Sequence, residues 1–242
     1  MSKSDLNSDV ALANQLLSNL LTSANQRLTP YLEEVSLTSG QVIHKSGESI
    51  AEVYFPQSTV FSVVINMSDG SLVLVSLVGK EGLVGLAAIL GGYTFNTSSV
   101  VQISGTAWKL PTAVIRREFQ KNKAVQQLLL LYTKTYLAHI AQIAACNSLH
   151  NIEHRLALFL LMVQDALGQK TLPLTQKSIS IMLGVRRASV TETAILMQKK
   201  QIIQYSRGKI TILDRTLLEA IACECYVQIK SEYQCLFSAS LG

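Results

Sequence analysis

The 242-residue sequence predicts an α+β chain: an N-terminal antiparallel β-roll, a long helix, and a C-terminal winged helix-turn-helix. Three observations predict it. Residues 34–110 are short Val- and Ser-rich runs punctuated by Gly40, Gly47, Gly70, Gly79, Gly82, Gly85, Gly91 and Gly92. Many short strands at turn spacing imply a small antiparallel barrel or sandwich. Residues 112–167 contain no glycine or proline and carry apolar side chains mostly at steps of three and four, the period of a helix face. Residues 172–215 show two short helical patterns about Gly184, then two strand-like runs. The expected division is a β-roll with its leading helix over 1–118, a dimerisation helix over 119–150, a winged helix-turn-helix over 151–220 and a tail helix over 221–242.

Composition limits the class. The chain is 48% apolar and 15% charged, with a mean hydropathy of +0.29. A disordered chain needs low hydrophobicity and high net charge. No apolar run reaches the roughly 18 residues of a spanning helix; Leu72–Val78 is strand-length and Leu156–Val163 is also far too short. The start, MSKSDLNSDV, has no apolar signal core, so a cytoplasmic protein without a membrane partner is expected. The net charge of +5 is uneven: residues 151–215 hold 10 Lys/Arg against 4 Asp/Glu, residues 1–150 hold 10 against 9. A basic segment beside a neutral one fits a polyanion surface; a solvated basic face is the alternative.

Taken in order, residues 1–30 read as a helical lead-in, with Leu12, Leu16, Leu17, Leu20 and Leu21 at helical spacing and Pro30 limiting extension. Asp69-Gly70, between FSVVINM and SLVLVSLV, predicts a hairpin with a type I′ turn. Further on, Leu128, Tyr132, Tyr136, Ile140 and Ile143 form one apolar stripe. A long helix with one such stripe needs a partner for it. We expect a two-helix dimer seam; packing on the chain's own barrel is the alternative. Residues 151–167 are a separate apolar helix ended by Gly168.

Thr175 is the expected N-cap of the next helix, its hydroxyl accepting a first-turn N–H. Ile179, Met182 and Leu183 make its apolar face, and Gly184 supplies the tight turn. The second helix starts near Arg186 and runs to about Lys200, with Arg186, Arg187, Ser189, Thr191 and Glu192 exposed. The N-terminal residues of such a helix sit on base edges in the major groove, where an arginine reads guanine bidentately. Thr175 and Gln176 lie near the phosphate backbone. Ile202-Ile203 and Ile210–Leu213, joined through Ser206–Lys209, form the wing, with Arg207 and Lys209 suited to phosphate.

On these residues the chain resembles the Crp-Fnr family of bacterial transcription regulators. The resemblance covers nearly all of it: the glycine-punctuated β-roll, similar to a cyclic-nucleotide-binding domain, the long helix, and the segments NIEHRLALFLL, LTQKSISIMLGVRRASVTETAILMQKKQII and YSRGKITILD. It implies a regulator that binds palindromic double-stranded promoter DNA as a homodimer, with RNA polymerase as a further partner. The arginine opening the family's base-reading helix falls on Arg187. Ala188 and Glu192 stand where the family pattern has Glu and Arg, which implies a different operator.

The sensor half departs further. The family's nucleotide-binding members carry a Gly-Glu pair and, about ten residues on, an Arg-Ser or Arg-Thr. Here the matching residues are Gly85-Leu86-Ala87 and Phe95-Asn96-Thr97-Ser98. An anionic phosphate in an apolar roll without a cationic partner is poorly compensated. Nor are there N-terminal cysteines for the iron–sulfur cluster of the oxygen-sensing branch; the first is Cys146. No cofactor is expected, cyclic nucleotide and iron–sulfur cluster both being disfavoured.

Cys146, Cys223, Cys225 and Cys235 are expected as free thiols. Cys223-x-Cys225 with Cys235 could form a soft metal site or a redox pair, but the spacing is not a standard zinc pattern and no histidine follows. Cys146, His150 and His154 share an i, i+4 stripe that could bind a metal, but hinge-face packing is the preferred reading; His44 and His139 are scattered, and no metal is expected. There is no nucleophile elbow or P-loop, so an enzyme is not expected. The competing function is a small-ligand receptor with a vestigial DNA half, disfavoured by the intact helix and wing residues.

Overall fold

The computed structural model describes residues 14–91 and 96–239. Leu12, Gly92 and Phe95, used above, lie outside the described residues, as do residues 1–13 and 240–242.

The lead-in helix α1 (Gln15–Ser23) buries Leu16, Leu17, Leu20 and Leu21. Its cap ties it to the roll: Asn14 Oδ1 accepts from Leu17 N at 2.8 Å, while its amide donates to the carbonyls of Pro56 and Gly82. The roll follows as β1 (Glu33–Leu37), β2 (Val42–His44), β3 (Glu52–Pro56), β4 (Val60–Asn66), β5 (Leu72–Val78), a short helix α2 (Leu86–Leu90), β6 (Ser98–Ile103) and β7 (Gly105–Pro111). They form two antiparallel sheets, β1-β7-β3 and β2-β6-β4-β5. The β4–β5 hairpin is present, but its turn is not type I′. Gly70 N donates to Met67 O and Met67 N to Ser71 O, and only Gly70 has a positive φ. This is a three-residue loop closed by a left-handed glycine, with the Asp69 carboxylate accepting from Ser71 N at 2.9 Å.

Residues 112–167 divide into α3 (Thr112–Lys121), α4 (Lys123–Leu149) and α5 (Ile152–Leu167). The breaks have local causes. Asn122 and Asn151 are extended, and each side chain accepts first-turn N–H groups of the next helix, an alternative to helix continuation that asparagine offers. The expected seam on α4 is used inside the chain. Leu128 and Tyr132 are buried, and the Tyr132 hydroxyl accepts from Leu83 N at 3.0 Å. Tyr136 stacks on Tyr132. The roll, α1 and the last helix cover this stripe, so the opposite face, with Leu130 50% and Leu137 61% exposed, is the one turned to solvent.

The C-terminal half comprises β8 (Thr171–Leu172), α6 (Gln176–Leu183), α7 (Arg187–Lys199), β9 (Ile203–Ser206), β10 (Lys209–Ile212), α8 (Arg215–Ile221) and α9 (Cys225–Ala239). The wing has three strands, ordered β8-β10-β9, one more than expected, because a two-residue strand leaves no pattern in sequence. Ile179, Val190, Met197, Ile210 and Leu218 pack on Leu156 and Leu160 of α5, and the same core continues into Val60, Val64 and Leu77 of the roll. Gly79 makes that continuity possible: a Cβ there would stand 2.5 Å from Ala166 Cβ of α5. Arg215 clamps the far side, bonding Asp165 at 2.8 Å, Glu219 at 2.9 Å and the Tyr226 hydroxyl at 2.6 Å.

Candidate nucleic-acid interface

The interface is built on two capped helices. Thr175 Oγ1 accepts from Ser178 N at 3.0 Å and Ser178 Oγ accepts from Thr175 N at 3.1 Å, a reciprocal cap that satisfies two otherwise orphan donors. Gly184 ends α6 at φ 62°, ψ 37°, a left-handed conformation that a side chain disfavours. Arg186 supplies the extended N-cap backbone of α7, and Arg187 is its first residue.

Arg186 and Arg187 are exposed at this N-terminus, whereas Ser189 and Thr191 are half-buried. Thr191 Oγ1 lies 2.9 Å from Gln176 Oε1, joining two side chains expected to face DNA. The wing turn has two left-handed residues, Arg207 at φ 46° and Gly208 at φ 78°, the requirement of a type I′ turn. Lys209 pairs with Ser206 beside it. A Cβ on Gly208 would stand 3.5 Å from Thr175 Cγ2, so the wing tip adjoins the α6 cap. Arg186, Arg187, Arg207 and Lys209 are all exposed, and none has a salt-bridge partner among the described residues. Ala188, Glu192, Ile195 and Lys199 extend the outward face of α7; Ile195 and Lys199 are the two that the sequence pattern does not single out.

A second cluster lies where α4 meets α5. The Sγ atoms of Cys146, Cys223 and Cys225 and a ring nitrogen of His150 all lie within 4.8 Å of one another. Cys146 Sγ is 3.5 Å from Cys223 Sγ, and Cys225 Sγ is 3.5 Å from His150 Nδ1. All four cysteines are free thiols, as expected, but three of them and His150 converge on one point and could hold a metal ion. Cys146-x3-His150 and Cys223-x-Cys225 are each weak signals, far apart in the chain, and the fold brings them together. His154 is outside the set, and Cys235 is exposed elsewhere on α9. Burial pushes the Cys146 and Cys223 thiols up in pKa, and the neighbouring cysteines push Cys146 further.

A cavity of about 470 Å³ opens between the end of β5, α5 and α9, with Lys80, Glu81, His139, Asp165 and Tyr233 on its walls. No helix among the described residues is long and apolar enough to cross a membrane.

A β-roll joined through a long helix to a winged helix-turn-helix with a basic edge is the architecture of a DNA-binding transcription regulator. Residues 34–122 match the cyclic nucleotide-binding domain and residues 154–221 the Crp-like helix-turn-helix domain. The chain belongs to the Crp-Fnr family of transcriptional regulators. No curated protein matches it significantly. Solved structures share the fold: a putative regulator of the Crp/Fnr family from Eubacterium rectale, 21% identical over 85% of this chain and 96% of that one with a TM-score of 0.67; FixK2 from Bradyrhizobium japonicum, 16% identical over 79% and 98% with a TM-score of 0.69; and a Crp family regulator from Thermus thermophilus, 15% identical over 78% and 96% with a TM-score of 0.66. The expectation that no cofactor belongs to this chain is overturned by the cyclic nucleotide-binding fold of its roll and by the Cys–His cluster.

Proposed function

We propose that the chain binds palindromic promoter DNA as a homodimer, with residues 1–118 as sensor, 119–150 as dimer helix, 151–220 as reader and 221–242 as tail. Arg187 reads a base edge. Arg186, Ser189 and Thr191 complete the face of α7, while Thr175, Gln176, Arg207 and Lys209 hold phosphates. The observation that carries this reading is the contiguous, exposed basic edge formed by the α7 N-terminus, the α6 cap and the wing tip. Phosphate contacts fix register, and base contacts at the helix start supply sequence information. Dimerisation uses the outward face of α4, where Leu130, Leu137 and Ala144 recur at steps of seven, with Ala141 between. Contact with RNA polymerase rests on the family resemblance. Leu86 is buried at the head of α2, where nucleotide-binding members carry a carboxylate, so the roll departs from their motif.

The test is selection of a randomised duplex by the purified chain, followed by competition binding at two salt concentrations. A two-fold-symmetric consensus with salt-dependent affinity supports the reading; retention of all sequences alike overturns it. The second reading, a small-ligand receptor, is favoured by the cavity between β5, α5 and α9.

A further inference from the structure

We propose that Cys146, His150, Cys223 and Cys225 bind one zinc-type divalent ion in a closed tetrahedral Cys₃His site. Four facts carry it. The donor set is three thiols and one imidazole, the number and type that a structural zinc site uses. The spacing suits a single ion: zinc–sulfur bonds of about 2.3 Å at tetrahedral angles place sulfurs about 3.8 Å apart, and the pair Cys146–Cys223 stands at 3.5 Å with all four donors within 4.8 Å. An iron–sulfur cluster spreads its thiolates over separate irons and needs a wider cage. The supporting contacts are in place as well. His150 turns Nδ1 toward Cys225 Sγ, while its Nε2 lies 3.4 Å from Glu224 Oε1, the carboxylate–histidine arrangement that orients a ligand ring. Gln142 Nε2 donates to Cys225 Sγ at 3.1 Å. Finally, three thiolates on a divalent ion leave one negative charge. Arg155 lines the same small cavity as Cys146, and its Nε is buried without a hydrogen-bond partner.

The position gives the ion a role. Cys146 is in the last turn of α4 and His150 is its C-cap, next to the extended link into α5. Cys223 lies in the turn between α8 and α9, and Cys225 opens α9. One ion therefore ties the sensor-side helix to the segment that follows the wing, across the hinge at His150-Asn151. Arg155 also donates to the carbonyl of Leu183, the last residue of α6, so the site's edge reaches the helix-turn-helix turn. Binding releases three thiol protons to solvent as the cysteines become thiolates.

The experiment uses the full chain, reduced and stripped with a chelator, titrated with Co²⁺ and then with Zn²⁺. The expected result is one Co²⁺ per chain with thiolate-to-cobalt charge transfer and the strong visible bands of a tetrahedral site, abolished by one equivalent of Zn²⁺. Cys223→Ser and Cys225→Ser lose these bands; Cys235→Ser keeps them. His150→Cys retains the tetrahedral bands and gains charge-transfer intensity, which separates loss of a ligand from loss of the fold. Glu224→Gln weakens binding about 10- to 100-fold. The proposal is overturned if the folded, stripped wild type gives no thiolate–cobalt absorption, or if Cys225→Ser leaves it unchanged. It is equally overturned if the chain as purified holds iron with acid-labile sulfide, or a Cys146–Cys223 disulfide.

Discussion

The Thr191 hydroxyl on α7 stands 2.9 Å from the Gln176 side-chain oxygen on α6 and 3.0 Å from the Arg187 carbonyl. Its one proton is shared between the two helices of the reader, and it fixes which way the Gln176 amide faces. Thr191→Val keeps the shape and removes the donor. A net intramolecular hydrogen bond contributes about 1 kcal/mol to the fold, so stability should fall by up to about that much, and operator affinity should fall as well because Gln176 is no longer held in place. Fluorescence anisotropy with a labelled operator measures this; unaltered affinity would detach Gln176 from the interface.

Arg187 and Arg207 should behave differently. Arg187 opens α7, whereas Arg207 is at the wing tip. Arg187→Ala should cost about 1–3 kcal/mol and relax preference at one symmetric base-pair position. Arg207→Ala should weaken all sequences alike and reduce the salt slope by roughly one. Competition against a randomised operator reads both effects, and an unchanged base preference in Arg187→Ala would reject α7 as the reader.

The dimer face is tested with Leu137, which is 61% exposed and so can accept a charge without unfolding the monomer. Leu137→Glu should yield folded monomers and lose operator binding, since each half-site alone makes too few contacts. Tyr132→Phe should leave the dimer intact and lower stability by about 1 kcal/mol, because it deletes the hydroxyl bonded to Leu83. Light scattering and thermal melts separate the two. A Leu137→Glu chain that remains dimeric would place the seam elsewhere.

Burial holds His139 down at about 4, against an ordinary value of 6.5, with the Tyr233 hydroxyl 3.2 Å from its Nδ1. Between these values the unfolded chain binds a proton that the folded chain refuses. Stability from this group is thus complete above pH 6.5 and is lost as pH falls toward 4, by up to about 3 kcal/mol. His44 is also lowered, mainly by burial, and acts in the same direction, so the comparison must be with a variant. Urea unfolding at pH 7 and pH 4.5 should show a smaller loss for His139→Gln than for wild type; equal losses would refute the assignment.

Much of this architecture is local chemistry and therefore readable in sequence. The Thr175 cap, the Gly184 turn, the wing's Arg207-Gly208 turn and the buried leucines of α1 depend on residues within a few positions of one another. The Gly70 hairpin was legible as a hairpin but not as a turn type, because Asp69 and Ser71 decide that through a side-chain bond. The Asn122 break shows the same limit, since a capping asparagine is also a tolerated helix residue until its side chain folds back.

What only tertiary structure decided is which partner each surface meets. Periodicity places Leu128, Tyr132 and Tyr136 on one face of α4 but carries no information on what covers it. The roll, α1 and α9 take that face, and the opposite one goes to solvent. The Cys–His cluster was legible only as two separate weak signals, for the same reason. Cys146 and Cys223 are 77 residues apart, and a donor set exists only once α8 and α9 fold back onto the end of α4. Backbone turns and caps are fixed by bonds a few residues long, whereas seams and ligand cages are fixed by which distant elements exclude water together.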